Sequence, residues 1–253
     1  MTDNKLKNAL ADNELQRGIW LTLGSMAAAE LASKTGFDWC LIDAEHGPNG
    51  LAQIQGQLMA LAGSDTQTVI RVPVGQDWVL KQVLDLGAQN ILVPLVHTAE
   101  QARQIVAATR YPPNGTRGMG ATLARASGYG STPDYAKTAD KNICVMVQVE
   151  SVEAAENIDG IANTEGVDVV FIGPADLSAD MGFPGQYRHP DVLVEIERLT
   201  TRILAAGKTV GVVWFDPDHA REAVAQGARF VGLGSETSTL MAGLRQLSEL
   251  DLS

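Results

Sequence analysis

Residues 143–173, ICVMVQVESVEAAENIDGIANTEGVDVVFIG, contain two short runs of apolar, mostly β-branched residues, at 143–149 and 168–173. A more polar segment separates the two runs, and Gly166 stands just before the second one, where helices commonly end. Strands that are apolar at nearly every position are typical of parallel sheets that are covered on both faces. The stretch therefore predicts a strand–helix–strand unit.

This unit recurs along the chain, because segments with helical periodicity alternate with further apolar runs. The predicted strands are residues 18–24, 38–43, 68–72, 90–95, 143–149, 168–173, 209–214 and 229–234. Eight strand–helix units within 253 residues indicate an α/β fold, a (β/α)8 TIM barrel, with residues 1–253 forming a single domain. A doubly wound open sheet is the alternative fold.

Two segments depart from the repeat. Residues 111–142 form a long connection rich in glycine, proline and polar residues, and connections of this length are usually functional. We expect this connection to lie near the barrel mouth or at an oligomer contact. Residues 235–250 predict an extra, amphipathic C-terminal helix, which is a candidate for exchange with a neighbouring subunit.

Charge and composition limit the kinds of partner and the cellular compartment that we expect for this protein. The formal net charge of −11 argues against nucleic acid and against an anionic membrane as partners. The polar N-terminus lacks the apolar core of a signal peptide, and no apolar stretch approaches the roughly 20 residues of a membrane helix. Cys40 and Cys144 lie in apolar runs without a C-x-x-C pattern, which predicts buried, reduced thiols. We therefore expect a cytoplasmic protein.

Polar residues follow the second and third predicted strands. Barrel enzymes take their catalytic residues from the C-terminal ends of strands. Asp43, Glu45 and His46 follow the second strand, and a histidine beside carboxylates is a candidate general base, with a solvated loop as the alternative. Arg71 lies within the third strand, and a buried guanidinium needs an anionic partner. A purely structural salt bridge, which could include Asp85, is the alternative for Arg71.

The fifth and sixth strands end in a second polar group. Gln148 and Glu150 alternate with valines, so they share one face of the strand, and a buried carboxylate there must be paired, protonated or bound to a metal. Gly173 begins a turn after which the free N–H groups of Ala175 and Asp176 could hold a substrate carboxylate. Glu150 and Asp176 together are a candidate two-carboxylate site for Mg²⁺ or Mn²⁺.

Aromatic and histidine side chains elsewhere carry less information. Trp20 lies near the end of the first strand and is a candidate pocket residue, with a position in the core as the alternative. His97, His189 and His219 lie among loop and helix-start residues and receive no role.

Taken in order, these segments closely resemble the class II pyruvate aldolases of the 4-hydroxy-2-oxoheptanedioate aldolase family, relatives of the citrate lyase β-subunit group. The resemblance covers nearly the whole chain. Its most specific segments are DAEHGP (43–48), IRVP (70–73), LDLGAQNILVPLV (84–96), ATRYPPNGTRGMG (108–120), VQVES (147–151) and FIGPADLSADMG (171–182).

The resemblance implies a catalytic role for four residues. His46 would be the general base, acting directly or through a water molecule. Asp85 would raise the basicity of His46, and Asp43 would help to orient it. Arg71 would stabilise an enolate.

The resemblance also implies a cofactor, a substrate site and an assembly. Glu150 and Asp176 would ligate a divalent metal, Mg²⁺, Mn²⁺ or Co²⁺. Gln148, Gly173 and the backbone of Ala175 and Asp176 would hold pyruvate. Members of the family are commonly hexamers, built as trimers of dimers with exchanged terminal helices, so a homo-oligomer is expected.

The implied activity is the reversible cleavage of 4-hydroxy-2-oxo acids to pyruvate and an aldehyde through a metal-stabilised pyruvate enolate. No lysine falls at the C-terminal end of a predicted strand, which disfavours Schiff-base chemistry. One alternative is a lyase acting on an acyl-CoA thioester of the malyl or citramalyl type, which would need a basic approach for the CoA phosphates. The other is a non-catalytic barrel that binds oxo acids.

Overall fold

The computed structural model describes residues 3–252. Eight parallel strands close into one barrel in sequential order, with β8 paired to β1. The strands are β1 Gln16–Leu21, β2 Trp39–Asp43, β3 Gln67–Arg71, β4 Asn90–Val93, β5 Cys144–Val149, β6 Val169–Ile172, β7 Thr209–Val213 and β8 Phe230–Ser235. Each predicted strand is therefore confirmed, with boundaries that differ by at most three residues.

Helices follow the strands and cover the outside of the barrel. They are α1 Lys5–Ala11, α2 Met26–Ala32, α3 Leu51–Leu61, α4 Asp77–Asp85, α5 Ala99–Thr109, α6 Tyr135–Thr138, α7 Val152–Glu156, α8 Ile158–Ala162, α9 Pro174–Asp180, α10 Pro190–Ala205, α11 Pro217–Ala225 and α12 Glu236–Ser248. No helix within residues 3–252 is both long enough and apolar enough to cross a membrane.

The interior of the barrel is filled by large side chains. Trp39 stacks on Phe230 with ring centroids 4.0 Å apart, and Trp20 packs against both Trp39 and Phe171. A side chain on Gly18 would place its Cβ within 1.9 Å of the Trp39 ring. Glycine is therefore required there, because it leaves space for the indole that fills the barrel.

The first helix, α1, closes the base of the barrel, which the sequence did not predict. Leu6 and Leu10, one turn apart, are buried against the interior cluster. Asn4 begins the helix by accepting the N–H of Lys7, and its amide group donates to Asn90 Oδ1 at 2.8 Å. The N-terminal segment thus seals one end and leaves the opposite end, the mouth, for chemistry.

The long connection lies at the base, so its expected position near the mouth was wrong, whereas the alternative expectation, an oligomer contact, stays a prediction. It leaves the end of α5 and enters the start of β5, and both of these points are at the N-terminal ends of the strands. Arg125 within it donates to the carbonyl of Leu86, just after α4, at 2.8 Å. The physical reason is that each helix runs antiparallel to its strand, so a connection that follows a helix starts at the base.

The predicted C-terminal helix, α12, is present. None of its residues is buried, and Leu240, Met241, Leu244 and Leu247 are each more than half exposed. Its exchange with a neighbouring subunit stays a prediction. Cys40 and Cys144 are free and buried, as predicted.

Candidate active site

A bidentate ion pair joins the ends of β2 and β3 at the mouth. Asp43 and Arg71 are neighbours in the register of the two strands. Arg71 Nε donates to Asp43 Oδ1 at 2.9 Å, and Nη2 donates to Oδ2 at 2.6 Å. Both side chains are buried, so the guanidinium has the anionic partner that its position in an apolar strand requires.

The turn after β2 carries His46 beside this pair. Asp43 Oδ1 accepts the backbone N–H groups of Glu45 at 3.1 Å and His46 at 3.3 Å, which fixes the turn. The imidazole is 64% exposed. A general base must reach the substrate, so this exposure at the rim of the mouth is compatible with the predicted role.

Glu45 lies beside the Arg71–Asp43 ion pair and His46. The sequence indicated only that Glu45 is close to His46. Its Oε2 lies 3.0 Å from Arg71 Nη1 and 3.8 Å from His46 Nε2. Burial raises the pKa of the Glu45 carboxyl, against the lowering effects of Arg71 and His46, and Asp43 and Asp176 raise it further. Two carboxylates, Asp43 and Glu45, therefore share the Arg71 guanidinium in this part of the mouth.

Glu150, directly after β5, is the most strongly perturbed acid of the mouth. Its Oε1 accepts the N–H of Leu95 at 2.8 Å, and its Oε2 accepts the amide of Gln148. Burial raises the pKa of Glu150 to about 7, the two hydrogen bonds lower it, and the charges of Asp176 and Glu45 raise it. Among the described residues no basic side chain forms an ion pair with Glu150, so this carboxyl is a candidate metal ligand or proton-transfer group.

The loop after β4 supplies the donor for Glu150 through an unusual backbone conformation. Leu95 has φ +55°, in the left-handed region that favours glycine. Its N–H is the donor that reaches Glu150, and its side chain is 53% exposed. This contact could not be predicted from the sequence, because the neighbours of Leu95 do not indicate a left-handed backbone at a leucine.

Asp176 is brought to the mouth by α9, the short helix after β6. Gly173 precedes the helix, Pro174 begins it, and Asp176 lies in its first turn. A side chain on Gly173 would place its Cβ 2.6 Å from Glu150 Oε2 and 3.0 Å from Gln148 Nε2. Only glycine therefore lets this turn approach the two polar side chains of β5.

His46, Arg71 and Asp176 border one cavity of about 350 Å³, and Asp43 and Glu150 are hydrogen-bonded to Arg71 and Gln148, which line it. One half is lined by His46, Arg71, Gln148 and the segment 173–176. The other half, which we call the β7–β1 half, is lined by Trp20, Thr22, Val213, Phe215 and Ser235, with Phe171 between the two. Trp20, predicted as a pocket residue, lines this cavity; Thr22 and Ser235 were missed, although each follows or ends an apolar strand.

The residues of the mouth fit a hard divalent cation. Glu150 and Asp176 present carboxylate oxygens, and the charge of Asp176 raises the pKa of Glu150. Within residues 3–252, no cluster of three or more His, Cys, Asp or Glu side chains has the arrangement of a metal site. Two carboxylates without a histidine or thiolate suit Mg²⁺ or Mn²⁺, which keep water and substrate oxygens as further ligands, better than Zn²⁺.

The chain does not bring Asp85 to His46. Asp85 is the last residue of α4, and the start of that helix lies near the mouth. The length of α4 places Asp85 roughly 13 Å from that start. There it accepts Arg117 Nη2 at 2.6 Å. Arg117 belongs to the long connection at the base. Spacing alone could not show this, because the end of a helix in a barrel is remote from the start of that helix.

Comparison with known proteins gives consistent matches over nearly the whole chain. Residues 16–242 match the model of the family described as HpcH/HpaI aldolase/citrate lyase. A hydroxypyruvate/pyruvate aldolase from Agrobacterium fabrum is 47% identical over 246 residues, 97% of this chain and 92% of that relative. A 2-keto-3-deoxy-L-rhamnonate aldolase from Salmonella gallinarum is 48% identical over 237 residues, 94% of this chain and 89% of that relative.

Solved structures agree with these matches. A HpcH/HpaI aldolase/citrate lyase family protein from Burkholderia cenocepacia superposes with a TM-score of 0.94 at 38% identity, covering 97% of this chain and 98% of the other. A macrophomate synthase structure gives a TM-score of 0.81 at 25% identity, covering 96% of this chain and 87% of the other.

Proposed function

The chain belongs to the HpcH/HpaI aldolase/citrate lyase family, and it is a carbon–carbon lyase. From this premise we propose that it cleaves 4-hydroxy-2-oxo acids reversibly to pyruvate and an aldehyde. The observation that carries the proposal is one cavity lined by the accessible imidazole of His46, the Arg71 guanidinium and Asp176. Asp43 is bonded to Arg71, and the buried acid Glu150 is bonded to Gln148, which also lines the cavity. The curated relatives, named as pyruvate and 2-keto-3-deoxy acid aldolases, support the reaction class.

We propose that Glu150 and Asp176 hold a divalent cation. When bound, such a cation supplies positive charge that stabilises the negative charge developing on the 2-oxo oxygen of the substrate. The buried carboxyl of Glu150, which has hydrogen-bond donors but no bonded cation in the described chain, supports this assignment. Mg²⁺, Mn²⁺ and Co²⁺ are the candidate ions.

The side chains would divide the proton and charge transfers between them. In the cleavage direction, His46 takes the proton of the C4 hydroxyl, the C3–C4 bond breaks, and its electron pair forms the enolate of pyruvate while C4 leaves as an aldehyde. The protonated His46 then gives a proton to C3 of the enolate, which yields pyruvate. Arg71 shares the enolate charge through its N–H groups, and Asp43 keeps the guanidinium in place with two hydrogen bonds. In the reverse direction His46 removes a proton from the methyl group of pyruvate.

Recognition of pyruvate would use the turn at the start of α9. The amide of Gln148 and the N–H groups of Ala175 and Asp176 border the cavity and suit a carboxylate. Gly173 keeps the turn close to Gln148. Trp20 borders the opposite side of the cavity.

A homo-oligomer would reconcile Asp85 with its implied role. Within one chain Asp85 pairs with Arg117 at the base, so it would act on His46 only if a neighbouring copy presents it to the mouth. The exposed apolar residues of α12 support association, and a hexamer built as a trimer of dimers is the assembly that we propose. A cytoplasmic location, supported by two free buried thiols, belongs to the same proposal.

Acyl-CoA cleavage is less well supported. Arg71, which lines the cavity, is already engaged by Asp43 and Glu45. A CoA substrate brings several phosphate charges, and the chain carries a net charge of −11. The relatives named above are aldolases, which favours a small oxo acid.

The proposal is tested by pyruvate release from 4-hydroxy-2-oxo acids and by deuterium incorporation into the methyl group of pyruvate. We expect EDTA to abolish both activities, and Mn²⁺, Co²⁺ or Mg²⁺ to restore them. Glu150→Gln should resist restoration, whereas Glu165→Gln, an exposed glutamate of the loop after α8, is the matched control and should behave as wild type. Full turnover of the wild type in EDTA would remove the cation from the proposal.

A further inference from the structure

A second cavity, of about 380 Å³, lies at the base of the barrel, at the opposite end from the mouth. Its walls come from α1 and from the residues that precede β6, β7 and β8. Among the described residues, the ionisable side chains that line it are Lys7, Asp168, Lys208 and Arg229. We call it the base cavity. Three positive charges and one negative charge face it, in a chain whose net charge is −11.

The topology of the barrel brings these four side chains together. Asp168, Lys208 and Arg229 stand directly before β6, β7 and β8, and parallel neighbouring strands begin at the same end of a barrel. The N–H of Arg229 donates to the carbonyl of Val210 in β7 at 3.1 Å, which fixes the start of β8 beside β7. Lys7 comes from α1, the helix that closes the base.

The single carboxylate of the base cavity is already engaged. Asp168 Oδ2 lies 3.0 Å from Lys7 Nζ and accepts the N–H of Val145 at 2.9 Å. Lys7 Nζ also donates to the carbonyl of Ile143 at 2.7 Å. The two charged side chains are 27% and 25% exposed, so they form a largely buried pair. Asp168 therefore compensates the charge of Lys7 and leaves the other two cations.

Lys208 and Arg229 are held in place by neutral groups. Lys208 Nζ donates to two main-chain carbonyls between α8 and β6, at 2.8 and 3.3 Å. Arg229 Nη1 donates to the carbonyls of Val224 and Ala228 at 3.1 and 2.9 Å. Within residues 3–252 neither side chain forms an ion pair, and Nε and Nη2 of Arg229 have no acceptor. Carbonyl oxygens orient the two cations but do not neutralise their charges.

Two uncompensated cations in one cavity suit a phosphate group better than a carboxylate. A phosphate monoester carries between one and two negative charges near neutral pH, whereas a carboxylate carries one. An arginine can bind two phosphate oxygens through parallel N–H groups, and a lysine adds a compact charge. Leu10, Val167 and Leu204 also line the base cavity and suit a short carbon chain. Its volume is similar to that of the mouth, so a small molecule fits.

We propose that the base cavity binds a phosphate group, as the free ion or on a small metabolite, with Lys208 and Arg229 as the residues that hold it. The site is separate from the mouth, because the two cavities share no lining residue. The proposal therefore does not depend on the aldolase function.

The experiment is isothermal titration calorimetry of the full chain, at constant ionic strength, with inorganic phosphate and, separately, with glycerol 3-phosphate. The protein is first treated with EDTA and dialysed, so that a cation at the mouth cannot recruit the anion. We expect one site per chain, with a Kd of about 1 mM or lower for the better ligand. Tighter binding of glycerol 3-phosphate would identify a phosphorylated metabolite as the ligand, and tighter binding of phosphate would identify the free ion. Absence of saturable binding of both would overturn the proposal.

Three single variants test the location of the site. Lys208→Met and Arg229→Met should each weaken the affinity about tenfold, because each removes a charge-assisted hydrogen bond to the anion. The matched control is Lys137→Met, which removes the same charge from an exposed pair with Asp134 and should bind as the wild type does. Equal weakening in the control would show an effect of net charge alone and contradict the assignment.

Asn13→Asp separates binding from folding. Asn13 lines the base cavity, its side chain makes no hydrogen bond within the described chain, and its φ of +60° is a conformation that aspartate also tolerates. The substitution adds a negative charge to the cavity without removing a contact, so it should weaken phosphate binding several-fold at an unchanged midpoint of thermal unfolding. Wild-type affinity in this variant and in folded Lys208→Met and Arg229→Met would show that the two cations serve the structure alone, and the proposal would be wrong.

Discussion

Two buried arginine–aspartate pairs lie at opposite ends of this barrel. At the mouth, Arg71 makes two hydrogen bonds to Asp43, at 2.9 and 2.6 Å. At the base, Arg117 makes one to Asp85, at 2.6 Å, and lies 4.5 Å from the centre of the Tyr111 ring. Burial lowers the pKa of each guanidinium, but the hydrogen bond and charge of the partner aspartate contribute to a net rise. By its own chemistry, either pair could belong to an active site.

Their surroundings distinguish them. Arg71 has a further carboxylate, Glu45, at 3.0 Å and borders the cavity that also holds His46. Arg117 is fully enclosed, and its Nε and Nη1 have no hydrogen-bond partner in the described chain. A buried ion pair is therefore weak evidence of function by itself, and one that borders a cavity beside an uncompensated acid is stronger evidence.

The largest effect should come from Arg71→Lys. Lysine keeps the charge but cannot reproduce the planar fork that binds Asp43 while facing the substrate. We expect pyruvate cleavage and methyl-proton exchange to fall by about 10²- to 10³-fold, the loss typical of a group that stabilises a developing oxyanion. Circular dichroism should show an unchanged fold. Methyl-proton exchange close to the wild-type rate would show that Arg71 takes no part in the reaction. The Arg71–Asp43 pair would then be structural, like the Arg117–Asp85 pair.

The sequence located the mouth well because strand ends are local features. Asp43, Arg71 and Glu150 each stand at the end of an apolar run, and parallel strands bring such ends together. The sequence could not assign Asp85, because its surroundings depend on where α4 ends and on how residues 111–142 return to the base.

Contacts made by the backbone or across the barrel closure were equally hidden. The N–H of Leu95 donates to Glu150 from a left-handed backbone conformation, which leucine rarely adopts. Glu236 meets Thr22 only because β8 pairs with β1, across more than 200 residues of sequence. Helix α1, whose Leu6 and Leu10 close the base, could have been predicted from the sequence. The two leucines are four residues apart, as on one face of a helix, and they follow Asn4, a residue type that commonly begins helices.

Replacement of Arg117 should affect folding more than chemistry. Arg117→Met leaves Asp85 without its partner and opens space beside Tyr111. Asp85 is 27% exposed, so solvent relieves part of the penalty, and we expect a loss of about 2 kcal/mol in the free energy of unfolding. Urea denaturation measures it, with Arg103→Met on the exposed face of α5 as the control. An unchanged midpoint would mean that the base pair contributes little to stability.

The smallest effect, and the most informative for the comparison, is expected from Asp85→Asn. Asparagine still accepts a hydrogen bond from Arg117, so the fold should persist, while any charge that Asp85 lends to His46 is lost. We expect kcat to fall about tenfold, less than the roughly 10²- to 10⁴-fold contribution of a general base itself, because Asp85 would act only through His46. The test is co-expression with His46→Ala chains. If each mouth takes Asp85 from a neighbouring copy, some mixed assemblies contain a mouth with both residues intact, and activity should exceed that of either variant alone. Activity equal to the average of the two variants would mean that Asp85 acts only at the base of its own barrel, in a structural role. The sequence-based assignment of a catalytic role to Asp85 would then be wrong.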